Sequence, residues 1–282
     1  MKDVSFDRLS RLWLREPDAS LSSAYTDLFL LNVHPYGTAF TDLSGELNGP
    51  AAWQTARLFE DRGYRPPELS EVGAPDHVGL CLGFLDHLER GGERDVEFSS
   101  DLLEWIPICC LAVEREPSAH PFYRAMAGLT RQRLLESASE LLPRVRDEAD
   151  PPEEDEDGMG ISRVIRFLLA PARSGLFLSR AKLGQLARAA GMGLPFGSRF
   201  DVARQLFQAA GENGKVGTVL DLLGTELSGW EASYRAWTGD HPRWGPLAAR
   251  WLDRTGETRR TLGEMREILE NPPDLEYADQ LR

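Results

Sequence analysis

The sequence predicts an all-α protein, a helical bundle followed by a second, C-terminal helical region. Three observations carry that expectation. Helix caps and stops made of Pro, Gly, Ser and Asn recur along the whole chain. Apolar residues fall at three- and four-residue spacing, while strand signals are scarce. With 41% hydrophobic residues among 282, the chain can also bury a substantial core.

Leu9, Leu12 and Trp13 mark a first helix that stops before Glu16-Pro17-Asp18. A second apolar run, Leu21 to Val33, ends at Pro35 and Gly37, and the two read as an antiparallel pair. Asn48-Gly49-Pro50 supplies a cap and a first-turn proline for a third helix, in which Trp53, Ala56, Leu58 and Phe59 lead to Gly63. Pro75 is read as opening a fourth. Its Val78, Leu80, Leu82, Phe84, Leu85 and Leu88 are apolar nearly all round until Gly91-Gly92, so it belongs at the centre of the bundle. Ser99-Ser100-Asp101 is read as the cap of a fifth helix that Pro107 kinks or restarts near Trp105. A sixth runs from Pro121 to Pro143.

Residues 147–157 hold eight acids, two prolines and no basic residue. Such a stretch repels itself and has nothing to bury, so it is expected to be an extended or disordered linker between a domain at 1–146 and another at 158–282. Beyond it, helices are expected at Ile161–Leu169, Ser179–Ala190, Ser198–Ala210, roughly Val216–Trp237, Pro246–Leu252 and Thr261–Leu269. Trp230, Trp237, Trp244 and Trp251 recur at sevens across breaks at Pro242, Gly245 and Pro246, and they are assigned to the core of this region.

The formal net charge is -13. Residues 1–146 hold 15 Lys+Arg against 23 Asp+Glu, whereas residues 158–282 hold 17 against 14. An acidic first half disfavours nucleic acid, which requires clustered positive charge, and suits a basic peptide. The first residues lack a twin arginine and the apolar run of a secretory signal, and no stretch is long enough to insert in a bilayer, so a cytoplasmic location is expected. Cys81, Cys109 and Cys110 match neither a disulfide framework nor a zinc spacing and are read as buried thiols.

Asp76 and His77 are the evident acid and imidazole. Adjacent helical residues point apart, so neither orients the other as a catalytic dyad needs, and Asp76 is placed in the first turn, where free N–H groups favour a carboxylate. A soluble helical enzyme using the two as acid and base is the alternative reading. His77 and Cys81 could form half a metal site, but no second pair accompanies them. The Gly211–Thr218 stretch lacks both the hydroxyl and the preceding strand of a phosphate loop, and Gly191–Gly197 follows a helix, as a dinucleotide fingerprint does not. Leu183 to Phe207, with Arg180, Lys182, Arg188, Arg199 and Arg204, has the outline of a helix-turn-helix regulator, although its turn is long and holds Pro195.

Four short elements recur in order: Pro35-Tyr36-Gly37, Pro75-Asp76-His77, Trp105-Ile106-Pro107 and Pro121-Phe122-Tyr123. Together with Gly45 and Gly49 they resemble the TorD/DmsD/NarJ group of redox-enzyme maturation chaperones over roughly residues 6–146. Ala74 stands where that group often has glutamate. The resemblance implies an all-helical, non-enzymatic chaperone with no cofactor of its own. Its partner would be an apo molybdoenzyme of the dimethyl-sulfoxide-reductase type, held commonly through a twin-arginine signal peptide. Domain swapping in that group makes a homodimer a candidate assembly. Tyr36, Gly37, Pro75, Asp76, His77, Trp105 and Phe122 are the peptide-binding candidates. In this reading the aromatic rings take the apolar part of the peptide, and Asp76 with other acids faces its arginines.

Overall fold

A computed structural model describes residues 4–42, 48–66, 69–137, 161–193, 197–240 and 244–270. Among these residues the chain is helical throughout, without a strand, and the one departure is an isolated antiparallel bridge between Tyr36 and His77. The helices are α1 (Phe6–Leu14), α2 (Ser22–Tyr25), α3 (Thr38–Thr41), α4 (Pro50–Asp61), α5 (Leu69–Val72), α6 (Val78–Arg90), α7 (Val96–Leu103), α8 (Ile106–Arg115) and α9 (Pro121–Ser137). The C-terminal region adds α10 (Ile161–Leu169), α11 (Pro171–Ser174), α12 (Arg180–Ala189), α13 (Arg199–Glu212), α14 (Val216–Asp240) and α15 (Gly245–Glu270).

The apolar sequence of α6 does place it at the centre. Val78, Leu80, Cys81, Leu82, Phe84, Leu85 and Leu88 are all buried. α1 crosses it closely because Gly79 has no side chain: a Cβ there would lie 2.6 Å from Leu14 Cγ and 3.0 Å from the Ser10 carbonyl. The Ser10 hydroxyl donates to the Gly79 carbonyl at 2.7 Å, which fixes the crossing. The principal partner of α1 is thus α6, and not the run that follows it in sequence. That run is itself broken into a 3₁₀ turn (Ala19–Leu21), α2 and a π turn (Thr26–Leu30). Leu28 and Phe29 are buried by the irregular winding, while Leu30 and Leu31 stay exposed.

Three helix boundaries differ from the sequence reading, each through a local side chain. α6 starts at Val78, not Pro75, because His77 serves as its N-cap. α7 starts at Val96, since Asp95 accepts from the Phe98 N–H at 3.0 Å; Ser99 and Ser100, read as caps, lie inside the helix and bond back to carbonyls four residues earlier. α15 is one helix where two were expected, because Gly256 lies mid-helix without breaking it and the buried Thr255 and Thr258 bond to carbonyls. The restart at Pro107 occurs as expected, with that proline in the first turn of α8. The end expected at Pro143, the acidic 147–157 segment and Gly45 lie outside the described residues.

One apolar core runs through both halves of the chain. The four tryptophans at sevens are buried in it, where Tyr234 stacks on Trp251 and donates to the Gly175 carbonyl at 2.9 Å. Charge complements shape where the halves meet. Glu104 receives Arg250 at 2.7 Å and Arg254 at 2.6 Å, and Arg115 reaches Glu226 at 3.1 Å while lying over the Trp230 ring. Of the cations that suggested a helix-turn-helix, Lys182 is paired with Glu226 and Arg199 is turned into the protein.

Arg199 is half-buried as a residue, but its guanidinium is the enclosed part. It donates to the carbonyls of Leu178 at 3.1 Å, Ala39 at 3.3 Å and Leu169 at 3.4 Å and lies 4.7 Å over the Phe177 ring. Desolvation pushes it down to about 10, so it is charged at neutral pH. Arg199→Met keeps the bulk and removes all three bonds. We expect a loss of about 1–3 kcal/mol in stability, measured by urea unfolding, without loss of helix content.

Candidate functional site

The site begins where two short turns meet, joined by the antiparallel bridge between Tyr36 and His77. Pro35-Tyr36-Gly37 and Pro75-Asp76-His77 exchange backbone bonds: the Gly37 N–H donates to the Asp76 carbonyl at 2.9 Å and the Val78 N–H to the Pro35 carbonyl at 2.9 Å. α6 then starts directly from the second segment, and α3 from the first.

His77 caps α6. Its Nδ1 accepts from the Gly79 N–H at 3.0 Å, and its ring meets the Tyr36 ring edge-on at 5.0 Å. Burial pushes the imidazole down to about 3, and accepting at Nδ1 puts the proton of the neutral ring on Nε2. Asp76, read from sequence as a first-turn residue of that helix, precedes it and serves a different one. Its Oδ2 accepts from the Thr38 N–H at 2.7 Å and from the Thr38 hydroxyl, so it caps the start of α3. Its Oδ1 is buried and unpaired among the described residues. Burial raises the carboxyl above the usual aspartate range, against the lowering effect of the Thr38 bonds.

The aromatic candidates occupy two levels. Trp105 is buried, under the bend: a Cβ on Gly37 would come within 3.2 Å of its indole, so any larger residue would have to push the ring aside. Trp105 stacks with Phe40 of α3, and Phe40 stacks with Phe177 from the C-terminal region. Tyr36 is half-buried above, with its hydroxyl donating to the Val72 carbonyl at 2.8 Å. Phe122 is also half-buried and meets Tyr123 edge-on at 5.1 Å; Tyr123 in turn lies 6.1 Å from Tyr25. Burial pushes the Tyr25 phenol up to about 12, and the nearby Tyr36, Tyr123 and Glu16 add to the shift.

The structure therefore brings Tyr36, Gly37, Pro75, Asp76, His77 and Trp105 into one unit, while Phe122 packs with Tyr123, which meets Tyr25 and Phe29. Thr38 and Tyr25 escaped the sequence reading, and Tyr123 entered it only as the last residue of the Pro121-Phe122-Tyr123 element. Nothing local marks Thr38 as the partner of an acid 38 residues away, and the phenols sit in runs that read as core. Asp76 and His77 make no bond to each other; each is engaged with backbone, which suits support of a surface better than proton transfer. Among the described residues no group of three or more His, Cys, Asp or Glu could hold a metal ion, and the three cysteines are buried. No described helix is long and apolar enough to cross a membrane.

The family model described as nitrate reductase delta subunit, a NarJ/TorD-type chaperone family, matches residues 6–109. This span includes every candidate except Phe122, and over it the resemblance read from the four motifs is borne out. No curated protein and no solved structure matches the chain.

The two buried titrating groups act on stability with opposite signs. His77 has a lowered value in the fold, so the unfolded chain binds more protons between about 3 and the ordinary 6.5, and stability falls as pH drops through that window. Asp76 has a raised value, so the folded state binds more protons just above 3.8, and stability rises there as pH drops. His77→Asn retains a cap acceptor and should flatten the acid loss by up to about 1.4 kcal/mol per pH unit, whereas Asp76→Asn should steepen it. Urea unfolding from pH 4 to pH 7 measures both slopes.

Proposed function

From the match of residues 6–109 to this molybdoenzyme-maturation chaperone family, we propose that the protein is a non-enzymatic cytoplasmic chaperone. Its client is an apo molybdoenzyme of the dimethyl-sulfoxide-reductase type. The chaperone holds a segment of that client, a twin-arginine signal peptide, at the mouth formed by Tyr36 and Phe122 until the enzyme is mature. The observation that carries this reading is the division of labour in the site. Buried polar groups of Asp76 and His77 fix the backbone, and half-buried aromatic rings are left to face a ligand. Aromatic surface with few immobilised rotamers suits the apolar run of a peptide, and the acidic first half suits its basic residues.

Pro75 and Gly37 shape the mouth, and Trp105 supports it from beneath. Asp76 acts chiefly through the Thr38 clasp, so its loss would disturb the binding surface as well as remove charge. The C-terminal region is proposed to stiffen the same surface through Phe177 and Arg199.

A pull-down from native cytoplasm, with captured proteins identified by mass spectrometry, should recover a molybdenum-dependent oxidoreductase. Recovery of none under growth that requires such an enzyme would reject the reading. With the client's N-terminal segment as ligand, Tyr36→Ala and Phe122→Ala should each weaken binding by roughly tenfold, and added salt should weaken it further.

A further inference from the structure

The part of the chain that the family model matches supplies the Tyr36 bend, and the C-terminal region, which it does not match, holds that bend at both ends. Upstream, the tie is Asn32. Its Oδ1 accepts from the Ala181 N–H at 3.2 Å, and its Nδ2 donates to the Asp27 carbonyl at 2.8 Å. Ala181 lies in the first turn of α12, where N–H groups have no partner within their own helix; the Ser179 cap takes the Lys182 N–H at 3.2 Å and Asn32 takes that of Ala181. Downstream, the Arg199 guanidinium takes the Ala39 carbonyl at 3.3 Å, and Phe177 stacks on Phe40 at 5.1 Å. Tyr36 lies between, four residues after the first tie and three before the second.

The two ties share one support. Arg199 also bonds to the Leu178 and Leu169 carbonyls and lies over the Phe177 ring, and the Phe177 segment runs directly into the start of α12 that Asn32 holds. Each tie also closes a long separation, 149 residues for Asn32 with Ala181 and 160 for Ala39 with Arg199. Contacts of that reach exist only while the C-terminal region is seated, so its seating and the shape of the bend are one event.

We infer that the C-terminal region controls the Tyr36 bend, with Asn32, Phe177 and Arg199 as its positioning residues. Seating fixes the bend, and a ligand that binds only the fixed bend holds the region seated by the same free energy. A contact that lifts α12 and α13 therefore loosens the grip on a client without touching the residues that meet the client. That last step rests on the peptide-holding reading above, whereas the coupling itself does not.

The test is amide hydrogen exchange followed by NMR on the full-length protein, read at Gly37, whose N–H closes the bend on Asp76, and at Ala181, whose N–H meets Asn32. The control is Arg115→Met, which removes another contact between the halves, on α14, without touching residues 32–40. Without any ligand, Arg199→Met and Asn32→Ala should each speed exchange at Gly37 by roughly tenfold, with Arg115→Met close to wild type. Gly37 rates that stay at the wild-type value in both variants, or that rise equally in Arg115→Met, would overturn the coupling. A synthetic peptide with paired arginines ahead of an apolar run should slow exchange at Ala181 in wild type; protection confined to Gly37 would also overturn it. If wild type bound no such peptide, the holding reading would fall, and the ligand-free rates would still decide the coupling.

Discussion

A four-residue helix clasped by a carboxylate at its start and by a guanidinium on one of its carbonyls is the interaction on which the site depends. One turn of helix has no stability of its own, because it fixes several dihedral angles for few hydrogen bonds. α3 persists because the Asp76 carboxylate takes the Thr38 N–H at its start and the Arg199 guanidinium takes the Ala39 carbonyl within it. Next to these contacts, Phe40 stacks with Trp105 of the first half and with Phe177 of the second. The direction of each charge agrees with the helix dipole, so electrostatics and packing fix the same geometry. Because Gly37 and Asp76 share a backbone bond, what fixes α3 also fixes the bend that carries Tyr36.

Much of the fold is legible in the sequence because it is locally written. The all-apolar face of α6, the Pro107 restart and the Ser179 and Ser198 caps of α12 and α13 each depend on residues within one or two turns. What the sequence does not reveal is decided at a distance or by an unusual cap. Histidine is an uncommon N-cap, so Pro75 looked like the natural start of α6. The consequence reached further than a boundary: with the helix starting at Val78, Asp76 became free to serve α3. The candidates were gathered by their order, and the structure buries Trp105 while Tyr36 and Phe122 stay half-buried.

Charge along the chain is likewise only half informative. The acidic first half and the mildly basic second half meet through Glu104 with Arg250 and Arg254, as such an imbalance suggests. The Arg115 and Lys182 contacts with Glu226 show the limit of segment averages, since there the acid comes from the basic half. Arg199 meets no carboxylate among the described residues; its charge is spread over three carbonyl dipoles, which geometry alone can identify.

The long reach of Arg199 has a consequence in time. Its contact with Ala39 closes a separation of 160 residues, whereas α14 and α15 pair as neighbours in the chain. Contacts between distant segments are entropically slow to close, and synthesis delivers the N-terminal segments first. On the ribosome, then, the bend at Gly37 exists well before the residue that secures it has been translated. The surface around Tyr36 is secured only after Arg199 has emerged, so a nascent chain keeps this bend loose until its last third has folded back.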